Sequence, residues 1–71
     1  MKININGQPY DLSILTHKNL QSALTLFLSN HQNQGTFAVA INGEFISKEN
    51  YQTTLMVNND SIDVLFPIQG G

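Results

Sequence analysis

Apolar and polar residues change rhythm several times along the chain, and each change marks an element. Ile3 and Ile5 alternate with Lys2, Asn4 and Asn6, the period of a strand with one buried face. Asn6-Gly7 follows at once, a dipeptide that accepts the positive φ angles of a tight hairpin turn. Gln8 to Leu12 then reads as the returning strand, with Tyr10 and Leu12 on one face. The signal is poor from Leu12 to Lys18. Asn19 next offers a side-chain oxygen to cap first-turn N–H groups. Leu20, Ala23, Leu24, Phe27 and Leu28 recur at i, i+3, i+4, i+7 and i+8, one apolar stripe on a helix of about three turns. Leu26 falls off that stripe. The polar run Asn30 to Gly35 ends the helix.

The second half returns to strands. In Thr36 to Ile41, Ala38 and Ala40 alternate with Phe37, Val39 and Ile41. Asn42-Gly43 is a second hairpin signal, leading into the short strand Glu44-Phe45-Ile46. Ser47 to Leu55 is irregular, with Tyr51 and Leu55 expected to anchor it in the core. Asn58-Asn59-Asp60 is a turn, because both residue types tolerate left-handed geometry and bond to nearby backbone. In the last strand, Ser61 to Phe66, one face carries Ile62, Val64 and Phe66 and the other Ser61, Asp63 and Leu65.

The order strand, strand, helix, strand, strand, strand predicts an α+β fold, since one helix covers only one face of a sheet. The last strand needs a partner and the first is the natural one, so the helix would cover Ile3, Ile5, Ile62 and Val64. That is the β-grasp (ubiquitin-like) arrangement, a mixed sheet of about five strands with one main helix on one face. It predicts a domain over residues 1–66 and a flexible diglycine tail over 67–71. Those five residues, at about 3.3–3.6 Å each, reach roughly 17 Å when extended. Gly70 and Gly71 keep the tail thin enough to enter another enzyme's active site, although small residues also end many chains without purpose.

Composition narrows the function. Seventy-one residues form one small domain that buries only about 60% of its unfolded surface, which leaves little room for an enclosed substrate cavity. The net charge is −2, with three lysines and no arginine, too few cations to neutralise a run of phosphates. No cysteine is present, so there is no disulfide framework, thiolate nucleophile or zinc cluster. No leader peptide or membrane span is expected, and the location expected is cytoplasmic. His17 and His31 are separated by the helix and have no third ligand in view. Asp60 reads as a turn cap and Asp63 as solvated. No metal or cofactor is expected on this chain, nor any phosphate-binding glycine loop.

Ile41-Asn42-Gly43-Glu44-Phe45-Ile46, Tyr51 with Thr54-Leu55, Asp60-Ser61-Ile62-Asp63-Val64 and the ending Pro67-Ile68-Gln69-Gly70-Gly71 resemble the sulfur carrier family of thiamine thiazole synthesis, ThiS. The opening Ile3-Asn4-Ile5-Asn6-Gly7 fits as well, so the resemblance runs nearly end to end. Asn59-Asp60 stands where the family often has Gly-Asp, and Lys48 where arginine is frequent. The resemblance implies a carrier rather than an enzyme. An E1-like adenylyltransferase would use ATP and magnesium to adenylate Gly71. A cysteine desulfurase or other persulfide donor would supply sulfur for a thiocarboxylate, and thiazole synthase would take it. Gly70 would keep the approach narrow, while Ile68 and Gln69 would contact the partner's channel. Leu65, Phe45 and Ile46 would form an apolar docking patch on the sheet face away from the helix, ordinary packing being the competing account. The small subunit of molybdopterin synthase shares the fold and the diglycine, and a ubiquitin-like protein modifier or an inert interaction module are further alternatives.

Overall fold

A computed structural model describes residues 1–29 and 36–66. The expectations for His31, for Ile68, Gln69, Gly70 and Gly71, and for a flexible tail lie outside these residues. Five strands and one helix follow in the order β1 (Lys2–Ile5), β2 (Gln8–Asp11), α1 (Leu20–Ser29), β3 (Ala38–Ile41), β4 (Glu44–Ile46) and β5 (Ser61–Leu65). They form a mixed sheet ordered β2-β1-β5-β3-β4. β1 pairs with β5 in parallel, and the other pairings are antiparallel. The first and last strands therefore meet inside the sheet, as the sequence predicts for a β-grasp.

Local chemistry explains the elements. Both Asn-Gly turns have positive φ at both residues, 53° and 81° at Asn6-Gly7 and 51° and 88° at Asn42-Gly43. These angles match the right-handed twist of the strands that they join. A Cβ on either glycine would meet nothing within 4 Å, so backbone angle rather than space selects glycine there. Asn59 takes a φ of 73°, the left-handed position at which the expected turn tolerates asparagine. At the helix start, Asn19 Oδ1 accepts the Ser22 N–H at 2.9 Å, a cap worth about 1 kcal/mol. The Asn19 amide also donates to the Gln52 carbonyl at 3.1 Å, which ties the cap to the later loop.

The helix stripe buries Leu20, Ala23, Leu24 and Phe27 against Ile3, Ile5, Val39, Ile62 and Val64. Leu12 is fully buried although β2 ends one residue earlier, and its N–H donates to the Met1 carbonyl at 2.8 Å. Tyr10 meets Phe27 edge to face at 6.0 Å between ring centroids. Tyr51 is buried as expected, at the end of a 3-10 turn over Lys48–Asn50.

Leu55 corrects the reading. It is 75% exposed, and Met56 beside it, at 3%, is the core anchor. The cause is a single antiparallel bridge between Asn19 and Leu55. The Leu20 N–H donates to Thr54 O and the Met56 N–H to Lys18 O, both at 2.8 Å. This extended pairing turns alternate residues to opposite sides, so only one of the adjacent pair can face inward. Met56→Ala is therefore expected to cost about 2–5 kcal/mol in a denaturant melt, whereas Leu55→Ser stays within about 0.5 kcal/mol. Equal losses for the two variants would contradict this assignment.

Candidate functional site

Gly70 and Gly71, where the sequence leads one to expect the reactive group, lie outside the described residues together with Ile68 and Gln69. The structure instead defines the strand that leads to them. β5 is the middle strand, and each Asn-Gly turn lends it a side chain. On the β1 side, the Asn4 and Asn6 N–H groups donate to the carbonyls of Asp60 and Ile62, each at 2.9 Å. The backbone then turns away at Gly7, and the Asn6 side chain supplies the next rung. Its Oδ1 accepts the Val64 N–H at 2.8 Å and its Nδ2 donates to the Val64 carbonyl at 3.2 Å. A primary amide presents the same donor and acceptor pair as a peptide group, so the ladder continues past the end of β1.

On the β3 side, the Asn42 N–H donates to the Ser61 carbonyl at 2.8 Å. Asn42 Oδ1 accepts the Ser61 N–H, and Asn42 Nδ2 donates to Asp60 Oδ1, each at 3.0 Å. Asp60 Oδ2 accepts the Val57 N–H at 2.8 Å. Asp60 is 6% exposed, so these bonds offset the cost of taking its carboxylate out of water. It caps its turn as expected and also joins two loops. Phe37 and Phe66 meet edge to face at 5.9 Å and fix the last described residue. Neither role is legible in the sequence, because an Asn-Gly pair announces only the turn.

The face away from the helix carries part of the expected docking patch. Register sets Phe45, Ala40 and Asp63 in one row across β4, β3 and β5, with Ala38 opposite Leu65 in the next row on the same face. Phe45 is 68% exposed and Leu65 50%. Small alanines lie between them, and Asp63 borders them with its charge. A shallow recess of about 330 Å³, lined by Thr36, Phe37, Ala38, Leu65 and Phe66, adjoins the end of β5. Ile46 does not join this face. It stands opposite Val39 and packs against the core beneath the sheet, because successive strand residues point to opposite sides. The structure thus brings Phe45 and Leu65 to one surface and sends Ile46 to the other.

The remaining titratable groups are dispersed. His17 and Asp63 are exposed. No three His, Cys, Asp or Glu residues among the described residues could hold a metal ion. Burial pushes the Tyr51 phenol above its usual pKa. Hydrogen bonds from the Ser13 hydroxyl and then its N–H hold the exposed Asp11 carboxyl below its usual range. Asp11 Oδ1 also lies 3.9 Å from the Met1 amino group. Among the described residues, no helix is long and apolar enough to cross a membrane.

Comparison with known proteins accords with this geometry. A search of curated proteins finds no match. Among solved structures, the thiamine biosynthesis protein ThiS from Geobacter metallireducens superposes with a TM-score of 0.75 over 100% of both chains at 22% identity, a likeness of fold. The ThiS family model matches residues 3–71, a span that includes Gly70 and Gly71. The chain belongs to the ThiS family.

Proposed function

We propose that this chain is a sulfur carrier for the thiazole moiety of thiamine, with Gly71 bearing the group that is loaded and unloaded. One observation supports it above the others: the family match runs through the diglycine rather than stopping at the folded body. A C-terminal carboxyl has a pKa of about 3.3–3.7, so it is an anion at neutral pH and resists nucleophiles. The chain has no cysteine with which to activate it. An E1-like adenylyltransferase would supply ATP and magnesium, and the Gly71 carboxylate would displace pyrophosphate to give an acyl-adenylate. A persulfide sulfur, from a cysteine desulfurase or another donor, would then displace AMP. A second thiol on the partner side would then attack the donor sulfur of the resulting acyl disulfide, forming a disulfide there and releasing the Gly71 thiocarboxylate, from which thiazole synthase takes sulfur. The chain would return with its carboxylate restored, as a carrier rather than a catalyst.

The body would act as a handle. Phe45 and Leu65 present apolar surface beside the end of β5, and Ile68 and Gln69 would thread the partner's channel. Ile46 would support Phe45's strand from the opposite face.

Incubation with ATP, a cognate activating enzyme and a sulfur source, read by intact mass, tests the proposal. Replacement of one oxygen by sulfur at Gly71 is the expected result; lysine conjugates or an unchanged mass would overturn it. Gly70→Val should leave the melting temperature unchanged while slowing adenylate formation on the order of a hundredfold, because the carboxylate is displaced from its reacting position. Normal adenylation by that variant would exclude a narrow channel. Leu65→Ala and Phe45→Ala should each weaken binding to the activating enzyme about tenfold, measured by calorimetry. Unchanged affinity in both would remove the patch.

A further inference from the structure

Asn42 precedes a glycine, whose missing side chain leaves its nitrogen unhindered, the arrangement in which an asparagine most readily loses its amide. In that reaction the Gly43 nitrogen gives up its proton and attacks Asn42 Cγ. A C–N bond forms, the Cγ–Nδ2 bond breaks, and Nδ2 leaves as ammonia. Water then opens the cyclic imide, leaving aspartate or isoaspartate. No electron is transferred, and water is the sole co-reactant.

The fold opposes the first step. Asn42 Oδ1 holds the Ser61 N–H and Nδ2 holds Asp60 Oδ1, each at 3.0 Å. Any rotation of the Asn42 side chain out of this arrangement breaks both bonds. The consequence of conversion is severe, because a carboxylate at position 42 would replace an amide donor with a second anion about one hydrogen bond from Asp60. Two carboxylates that close do not both ionise readily, and Asp60 is already committed to the Val57 N–H at 2.8 Å. Moving the new charge outward would forfeit the bond to Ser61 at the start of β5.

We propose that Asn42 is a guarded deamidation site: the fold keeps it unreactive, and conversion sets a charge against Asp60 that loosens β5. Asn6-Gly7 shares the guard, through its two bonds to Val64, but has no acid as its bonding partner.

The test has two readouts on the full chain. Peptide mapping after incubation at neutral pH should find deamidation at Asn42 about tenfold or more slower in the folded chain than in urea, as expected for a reaction that requires local opening. Equal rates would overturn the guard. Asn42→Asp should lower the melting temperature by at least about 5 °C. The exchange Asn42→Asp with Asp60→Asn should recover most of that loss. In the double variant, an amide at 60 can donate to a carboxylate at 42 while the Ser61 and Val57 N–H groups keep acceptors. An unchanged melting temperature in the single variant, or no recovery in the exchange, would overturn the clash. If the single variant does not fold, the exchange variant still decides the matter.

Discussion

β5 has neighbours on both edges, and its inner face lies under the helix. Its backbone groups therefore need partners within the protein, since a buried unpaired peptide group costs about as much as a lost hydrogen bond. Asn4 in β1 and Asn6 just after it donate their N–H groups before the chain turns away, and β3 runs antiparallel along the other edge. The gaps left at the two turns are filled by asparagine amides, Asn6 at Val64 and Asn42 at Ser61. The turn residues thus serve twice: their backbones take the left-handed angles that reverse the chain, and their side chains complete the central ladder. Asp60 extends this arrangement to the loop before β5 by bonding Asn42 and Val57.

That requirement separates the two faces of the sheet. The ten-residue helix covers Ile3, Ile5, Val39, Ile62 and Val64, and a chain of this size has little left to cover the other side. Ser61, Asp63 and Leu65 face outward from β5, and Phe45 stands on the edge strand β4, with β3 between them. A body that holds a fixed shape and offers an apolar surface suits a role in which partners supply the reactive groups.

Much of this architecture was legible because strong local signals and the demand for burial agreed. Alternation at Ile3 and Ile5, the two Asn-Gly turns, the Asn19 cap and the stripe from Leu20 to Phe27 each point to one local answer, and together to one topology. Leu55 and Met56 were not separable, since both are apolar and adjacent. Only the bridge to Asn19, more than thirty residues away in sequence, decides which one turns inward. Ile46 was misplaced for a different reason. Two-residue periodicity already forbids Phe45 and Ile46 from sharing a face, and the register against Val39 fixes which of them is inside. The side-chain roles of Asn6 and Asn42 were hidden because their partners lie fifty-eight and nineteen positions away. The diglycine proposed as the chemical site is plain in the sequence, whereas the bracing of the strand before it emerges only from the fold.

The parallel alignment of β1 with β5 has a mechanical consequence. A force drawing the end of β5 away from the beginning of β1 runs along both strands in opposite directions. The Asn4–Asp60, Asn6–Ile62 and Asn6–Val64 bonds then lie across the direction of sliding and bear the load together. An antiparallel hairpin pulled at its open end instead unzips one rung at a time. Tension between these two ends therefore meets the sheet in shear, the direction in which short strands hold best.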